Sequence, residues 1–403
     1  MTTTINNEHK ELNVPNKREQ NQTCLDSAEH EGLRPKGNVP NLRFPEFQGE
    51  WDKCKLGDLC NVLMCKRILA SQTNTEEGIP FYKIGTIGNA PDAYISKELF
   101  DDYKTKYNYP HKGEVMITCA GTVGKCVVYD GKDAYYQDSN IVWIDNPSQC
   151  ISNSFLYHLL AKVDWRKLNS TTIIRIYNDD LRNLKLNYPQ IEEQQKISRL
   201  LSLLDERIAT QNKIIDKLQS LIKGIRNDVF GKLRKNIGFN AVVGDVLDYE
   251  QPQSYIVEDT EYTNEGTPVL TANKAFVLGY TLETDGIYDN GDCIIFDDFT
   301  LDCKYVDFPF KVKSSAIKIL TAKNKELLRY TFEFLKYLDL STEEHKRHYI
   351  AETQNQEIIL PTDQMVKTIA HIFSTLSLRM ETAVKQRNVF EKQKQYLLRQ
   401  MFI

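Results

Sequence analysis

Residues 189–230 read PQ IEEQQKISRL LSLLDERIAT QNKIIDKLQS LIKGIRNDVF, and the spacing of their apolar residues decides which fold to expect. Apolar residues recur at alternating intervals of four and three, the heptad pattern of a helix that packs against another helix. Pro189 suits the first turn of a helix, and Glu192 and Glu193 suit its positive N-terminal end. We therefore predict a long helix whose apolar seam requires a partner. The seam positions are Ile197, Leu201, Leu204, Ile208, Gln211, Ile215, Leu218, Ile222, Ile225 and Val229.

The partner helix is predicted within the same chain. Adding 172 to each seam number gives a second heptad series, and the same offset aligns Pro189 with Pro361. A register held without a gap over about forty residues indicates an internal repeat. Shorter similarities precede each helix, such as Leu56–Leu59 with Val243–Val246. The second series is Ile369, Phe373, Leu376, Met380, Ala383, Arg387, Phe390, Lys394, Leu397 and Met401.

Each half of the chain is thus a globular module followed by a long helix, and the second helix must run back along the first to pair with it. The predicted fold class is α+β: two mixed α/β domains separated by two long antiparallel coiled-coil helices, with a pseudo-twofold internal repeat. Helices of about forty residues form a rod of roughly 60 Å.

Polar residues interrupt the seam at Gln211, Arg387 and Lys394. Gln211 and Arg387 both lie near the middle of an antiparallel pair, so one interpretation is that they meet and fix the register. The alternative is a seam that is simply loose there.

Five segments follow from this order, and their charges differ. The helical segments 187–235 and 359–403 each carry a net charge of +4, whereas residues 236–358 carry −11. An acidic module is at odds with binding to phosphates. The predicted segments are a flexible tail at 1–38, a first domain at 39–187, a central helix at 188–235, a second domain at 236–359 and a C-terminal helix at 360–403.

The composition, 41% hydrophobic and 26% charged, is that of a globular protein. No apolar run approaches the roughly 20 residues that span a bilayer, and the first residues lack a secretory leader. We therefore predict a cytoplasmic protein with free thiols at its nine cysteines. Zinc binding by Cys54, Cys60 and Cys65 is the alternative, although no histidine lies near them at ligand spacing.

Catalytic patterns are missing from the sequence. There is no phosphate loop of the ATP-driven motors. Residues 145–148 lack the second proline and the aromatic residue of an adenine-methylating loop. His345 and His348 have cationic neighbours that would repel a metal ion, and Asp297 and Asp298 lack the Glu-x-Lys of a nuclease centre. We predict no catalytic residue and no metal site.

One candidate for reading DNA is the turn Thr118–Lys125, which follows a predicted strand. Glycine permits close approach to a groove, threonine hydroxyls bond to phosphate or base, and lysine neutralises phosphate. Many tight turns have a similar composition, so an ordinary turn is the alternative. The predicted contacts are Thr118, Gly121, Thr122, Gly124 and Lys125.

The polar stretches before the two helices, 170–177 and 343–349, are the second kind of candidate. The offset of 172 places Arg175 on Arg347. Arginine at this place in both halves suits a bidentate contact to guanine or phosphate, and a salt bridge to a nearby carboxylate is the alternative. Further candidates are Lys83, Thr86, Asn89, Tyr177, Asn273, Lys274 and Lys346.

The order of modules and helices over about 39–403 resembles the specificity subunit of type I restriction-modification systems. The resemblance lies in Tyr188–Ile197, in Lys55–Leu59 and in the glycine-threonine turn that ends at Gly124. Residues 294–300 and 306–310 resemble one subtype of the recognition domains of this family. The second module lacks the Gly-Thr-x-Gly turn.

The resemblance implies a function and a set of partners. Each target recognition domain would read one half of a split site in double-stranded DNA, and the coil length would set the spacer. The helices would dock two methyltransferase subunits that hold S-adenosylmethionine. Two motor-nuclease subunits would use ATP and magnesium, and this chain would bind no cofactor. The alternatives are a coiled-coil scaffold with two protein-binding heads and an orphan specificity subunit of a methylation-only system.

Overall fold

The computed structural model describes residues 37–167, 175–272, 275–342 and 347–403. They form two compact units. One consists of the described residues up to Ser202 together with Lys394–Ile403, and the other of those from Leu203 to Gln393. Each unit therefore contains one predicted recognition domain and part of both long helices. All but the last two residues of the predicted tail lie outside the described residues.

The first unit is built on three small sheets. Its elements are β1 (Asp52–Lys55), α1 (Leu56–Leu59), β2 (Asn61–Leu63), β3 (Ile79–Tyr82), β4 (Tyr94–Ile95), α2 (Lys97–Lys106), β5 (Val115–Thr118), β6 (Cys126–Val128), β7 (Tyr135–Tyr136), β8 (Ile141–Asp145), α3 (Asn153–Lys162), α4 (Asn178–Arg182), β9 (Lys185–Tyr188) and the start of α5 (Ile191–Asn236). The strand orders are β2-β8-β5-β6, β4-β3-β7 and β1-β9.

Strands β5 and β8 are buried on both faces, because alternate side chains of a strand point to opposite sides. Val115 and Ile117 pack into a core that contains Phe155 of α3. Met116 and Trp143 point the other way, into a second core rich in tyrosine. Helix α3 begins at a Ser152 cap, whose hydroxyl accepts from the backbone N–H of Phe155.

The second unit repeats this arrangement. Its elements are the remainder of α5, β10 (Ala241–Val242), β11 (Leu247–Glu250), β12 (Thr267–Leu270), β13 (Val277–Thr281), β14 (Cys293–Asp297), β15 (Cys303–Val306), β16 (Lys311–Val312), β17 (Ile317–Ala322), α6 (Lys325–Leu338), β18 (Glu357–Ile358) and most of α7 (Asp363–Gln400). The strand orders β11-β17-β14-β15, β13-β12-β16 and β10-β18 match those of the first unit one for one. The predicted internal repeat is confirmed.

The seam predicted from spacing is the packed side of both long helices. Every predicted seam position of α5 and α7 is buried or half-buried. In the second unit Arg226 lies over the ring of Phe373, and Arg207 lies over the ring of Phe390. The later residue of α5, Arg226, thus contacts the earlier residue of α7, Phe373. The two helices are therefore antiparallel in this unit. In the first unit, Leu201 and Leu397 belong to one core.

Arg387 has polar partners within its own helix, and the suggestion that it meets Gln211 stays a prediction. The guanidinium of Arg387 donates to Oδ1 of Asn388 at 2.9 and 3.2 Å, and it lies 3.7 Å from Oε1 of Glu391. Both partners belong to its own helix, and one turn separates Arg387 from Glu391. A long cationic side chain reaches such local partners while its stem covers the seam.

The described cysteines are free thiols, whereas Cys24 lies outside the described residues. Burial raises the pKa of Cys60 and of Cys65 to about 12, so both thiols stay protonated at neutral pH. Within the described residues no three His, Cys, Asp or Glu side chains are grouped to hold a metal ion. None of the described helices has the length and apolar character needed to cross a membrane.

Candidate nucleic-acid interface

A tight turn joins β5 to β6 in the first unit and contains the predicted reading loop. The side chain of Thr118, at the end of β5, is buried. Its hydroxyl donates to the carbonyl of Thr122 and accepts from the backbone N–H of Lys125 at 3.0 Å. The N–H of Gly124 donates to the Thr118 carbonyl at 2.8 Å. Thr118 therefore holds the turn together, and the outward groups belong to the residues that follow it.

Gly121 and Gly124 allow this turn to lie close to neighbouring side chains. Their φ angles are +65° and +84°, values that glycine adopts without steric strain. A Cβ on Gly124 would lie 2.1 Å from Cδ1 of Trp165, and one on Gly121 would lie 2.8 Å from Cδ1 of Ile84. Gly124 is thus required for close packing against Trp165, whereas Gly121 is favoured by its positive φ angle.

The outer surface of the turn borders a cleft of about 600 Å³. Thr122 is exposed, and its hydroxyl donates to the Ile84 carbonyl at 3.2 Å. Nζ of Lys125 donates to the Ile87 carbonyl at 2.5 Å. An ammonium group has three donors, so Lys125 keeps two for an anion such as a phosphate oxygen. The cleft is lined by Gly121, Thr122, Val123, Gly124, Lys125 and Arg166.

The segment 83–89 lies against this turn through those two bonds. Nζ of Lys83 lies 2.9 Å from Oδ1 of Asp92, and both side chains are exposed. The hydroxyl of Thr86 accepts from the backbone N–H of Lys83 at 3.0 Å, which closes a local turn. Asn89 is exposed at the end of the segment. Three predicted contacts therefore lie beside the glycine turn, and two of them also have partners within the domain.

Arg175 and Tyr177 lie beside the same turn, because the residue between them bonds to it. The N–H of Ile176 donates to the Cys119 carbonyl at 2.9 Å. Nη2 of Arg175 donates to the Ser139 carbonyl at 3.3 Å, and its guanidinium lies 5.8 Å from the ring of Tyr177. Tyr177 itself is 61% exposed. The structure thus brings residues from three distant parts of the sequence to one edge of the domain.

Two further arginines lie at this edge that the sequence did not predict as contacts. Arg166 is exposed and lines the cleft. Arg67, two-thirds exposed, pairs with Asp138 at 2.8 Å, next to the Ser139 that Arg175 contacts. Trp165 packs against Gly124, and this places the next residue, Arg166, beside the turn. No spacing rule in the sequence connects Arg166 with the turn.

The corresponding turn of the second unit joins β14 to β15 and is built around two aspartates. Oδ1 of Asp297 accepts from the backbone N–H groups of Phe299 and Thr300, both at 2.9 Å. Asp298 is buried, and its Oδ1 accepts from the N–H of Tyr349 at 2.7 Å. This turn therefore lacks the glycines of the first but occupies the same place, between equivalent strands.

Arg347 lies beside this second turn. Its Nη1 is 3.8 Å from Oδ2 of Asp298 and its Nη2 is 3.4 Å from the hydroxyl of Ser315. The ion pair is the alternative that the sequence left open, yet half of the Arg347 side chain remains exposed. The predicted contacts Asn273, Lys274 and Lys346 lie outside the described residues.

The offset of 172 places the two arginines at matching positions. The N–H of Ile176 bonds to the carbonyl of Cys119, and the N–H of His348 bonds to the carbonyl of Asp298 at 3.0 Å. Arg175 contacts Ser139 just before β8, and Arg347 contacts Ser315 just before β17. Each domain therefore presents an arginine next to the turn that follows an equivalent strand.

Comparison with known proteins relates this arrangement to a family. Residues 48–220 match the family model described as the type I restriction modification DNA specificity domain. A putative type I restriction enzyme specificity subunit from Haemophilus influenzae is 47% identical over 169 residues, which is 42% of this chain and 43% of that protein. The EcoR124I/EcoR124II specificity subunit from Escherichia coli is 44% identical over 136 residues, 32% of this chain and 34% of that protein. Residues 48–220 of this chain are therefore similar to the DNA specificity domain of type I restriction enzymes.

These matches span less than half the length of either curated relative. A likeness of fold extends further. The crystal structure of a type I restriction-modification S subunit from M. genitalium superimposes with a TM-score of 0.65 at 16% identity, over 91% of this chain and 99% of that chain. The predicted α+β fold of two modules and two long helices is confirmed.

The two turns differ in charge. The first edge gathers Lys125, Arg166 and Arg175, with Arg67 and Lys83 beside them in exposed ion pairs. The second turn contains Asp297, Asp298 and Asp302, and the half-exposed Arg347 lies beside it. Burial raises the pKa of the Cys119 thiol to about 12, so the first domain has a neutral group where the second has the Asp298 carboxylate.

Proposed function

We propose that this chain is the DNA-specificity subunit of a type I restriction-modification complex. Each recognition domain reads one half of a bipartite site in double-stranded DNA, and the paired helices set the spacer between the halves. The observation that carries this proposal is the repeated edge: two domains of the same strand order each present a turn and an arginine, at residues 172 apart. Arginine beside a close-approaching turn is suited to guanine edges and phosphates.

The long helices supply a surface for partner subunits in this proposal. Several apolar side chains of α5 and α7 point away from the seam, among them Leu221, Leu378 and Val389, which are 49%, 63% and 51% exposed. Each helical segment also has a net charge of +4. We propose that two methyltransferase subunits, which hold S-adenosylmethionine, dock there. Two motor-nuclease subunits supply ATP- and magnesium-dependent cleavage, and the catalytic steps belong to these partners.

The acidic second domain fits a reader that works inside a complex. With a net charge of −11 over 236–358, it repels the phosphate backbone unless partner subunits neutralise part of that charge. The cytoplasm, where such a complex meets DNA, is the location that we propose.

Genome-wide mapping of methylated adenine tests the proposal. The full chain is co-expressed with a cognate methyltransferase subunit in a host without other adenine methylation. The expected result is methylation of one two-part motif with a fixed spacer. An assembled complex that leaves adenines unmethylated would contradict the proposal and favour a scaffold with protein-binding heads. Restriction of incoming DNA, measured after a motor-nuclease subunit is co-expressed as well, separates a full system from a methylation-only one.

Replacing Gly124 with alanine is expected to slow methylation of the cognate site by about tenfold, the effect of losing one or two groove contacts. The new Cβ would lie 2.1 Å from Trp165, so the turn must move away from its packed position. Gly113→Ala is the matched control, because Gly113 also has a positive φ of +93° but nothing within 4 Å of its Cβ. Equal methylation rates for the two variants would show that the position of the turn is unimportant.

A further inference from the structure

Asp298 lies at the centre of a hydrogen-bond network in the second domain, behind the β14–β15 turn and Arg347. Its side chain is almost fully buried. Oδ1 accepts from the backbone N–H groups of Tyr349 at 2.7 Å and of His348 at 3.1 Å. The Asp298 carbonyl accepts from the same His348 N–H at 3.0 Å. One residue thus anchors the chain that immediately follows Arg347.

The other carboxylate oxygen faces two cations. Oδ2 lies 3.5 Å from Nζ of the buried Lys318 and 3.8 Å from Nη1 of Arg347. Lys318 also donates to Oε1 of Gln251 at 2.8 Å. A buried carboxylate requires such compensation, because removing a charge from water is costly. The buried Lys318 compensates the charge of the Asp298 carboxylate from the domain interior, whereas Arg347 approaches the carboxylate from the surface.

Arg347 therefore has partners within the domain on one side of its guanidinium group, while its other side is exposed to solvent. Its guanidinium lies 5.8 Å from the Phe299 ring and bonds to Ser315 at 3.4 Å, while half of the side chain is exposed. These three contacts, with Asp298, Phe299 and Ser315, fix the direction of the Arg347 guanidinium. An unrestrained arginine side chain has many conformations. Such preorganisation makes a bidentate contact more selective.

The first domain is built differently at the equivalent place. Cys119 occupies the position of Asp298, and its carbonyl accepts from the N–H of Ile176 at 2.9 Å. A thiol offers neither a negative charge nor two strong acceptor oxygens to the segment 175–177. The carboxylate network is thus a property of the second domain.

We propose that Asp298 is a positioning residue for base discrimination by the second recognition domain: it anchors the backbone at 348–349 and directs the guanidinium of Arg347 towards the DNA. This inference rests on the proposed function. Because Asp298 is buried, it acts through Arg347 without touching the DNA itself.

The test compares methylation by complexes that contain the wild-type chain, Asp298→Asn or Asp298→Ala. Asparagine keeps an oxygen for the two backbone N–H groups but loses the charge that directs Arg347, and alanine loses both. Asp302→Asn is the matched control: it removes the same charge from the same turn, and its carboxylate pairs with Lys336 at 2.9 Å, away from Arg347. The quantity measured is the ratio of methylation rates on the cognate site and on single-base variants of each half-site.

We expect Asp298→Asn to reduce discrimination in the half-site read by the second domain by about fivefold and Asp298→Ala by about tenfold or more. Discrimination in the other half-site, and both ratios for Asp302→Asn, should remain at the wild-type value. Arg347→Ala should produce the same local loss. Adding Asp298→Asn to Arg347→Ala should then change little further, because the two residues act as a unit.

Three results would overturn the inference. They are wild-type discrimination with Asp298→Asn, an equal loss of activity on all sites without a change of base preference, and failure of the Asp298→Asn complex to assemble. The last two would assign Asp298 a purely structural role. Absence of motif-specific methylation by the wild-type complex would instead contradict the proposed function.

Discussion

Replacing Glu333 with alanine is expected to destabilise the second unit by about 3–5 kcal/mol, the usual effect of breaking a buried ion pair from one side. Glu333 is almost fully buried in α6. Its Oε2 accepts from Nε and Nη2 of Arg226 at 3.0 and 2.6 Å, and its Oε1 accepts from Nη2 of Arg329 at 2.8 Å. The variant leaves two largely buried guanidinium groups without their carboxylate.

The position of these residues explains why the effect should spread through the unit. Arg226 belongs to α5, and Arg329 of α6 also donates to the carbonyl of Phe373 and to the hydroxyl of Ser377 in α7. Glu333 therefore connects the domain to both helices. Hydrogen exchange of α6 peptides, followed by mass spectrometry, should show a loss of protection that matches the lost free energy.

Asp228→Ala is the control for this prediction, because it breaks an exposed pair with Lys232 at 2.7 Å. Exposed pairs contribute only about 0–1 kcal/mol. If Glu333→Ala lost no more protection than Asp228→Ala, Glu333 would not be the connection between domain and helices.

The second large effect is expected from Phe402→Ala, which should destabilise the first unit by about 3–5 kcal/mol, the usual loss for a large aromatic residue in a core. Phe402 is 4% exposed. Its ring stacks on Phe155 with centroids 4.9 Å apart and meets the edge of Trp51 at 6.4 Å. The substitution removes a ring from the centre of a core cluster and leaves a cavity.

Tryptophan fluorescence during denaturant unfolding measures this effect in the first unit alone. The chain has three tryptophans, and all of them, Trp51, Trp143 and Trp165, belong to that unit. The unfolding midpoint of Phe402→Ala should fall clearly. Ile403→Ala, at a neighbouring residue that is 46% exposed, should leave the midpoint nearly unchanged, and equal midpoints would contradict the packing of Phe402.

Patterns that depend on one element were predictable from the sequence. The heptad spacing located both helices and their packed faces, because burying a stripe of a helix requires apolar residues every three or four positions. The offset of 172 likewise predicted the repeat, which the strand orders confirm. The family resemblance came from motifs at the ends of these elements.

Features that depend on tertiary contacts were not predictable. Arg166 reaches the first turn because Trp165 packs under Gly124, and Thr118 is buried because the turn uses its hydroxyl. In the sequence, Asp298 is simply the neighbour of another aspartate, Asp297. Only the tertiary structure places Lys318 and Arg347 beside it.

The central claim is that the two domains read separate halves of one site, and domain replacement tests it most directly. Residues 236–358 are replaced with the corresponding residues of a family member that specifies a different motif, and methylated adenines are mapped in the resulting complex. One half of the motif is expected to change while the other half stays the same. A change in both halves, or in neither, would contradict the claim.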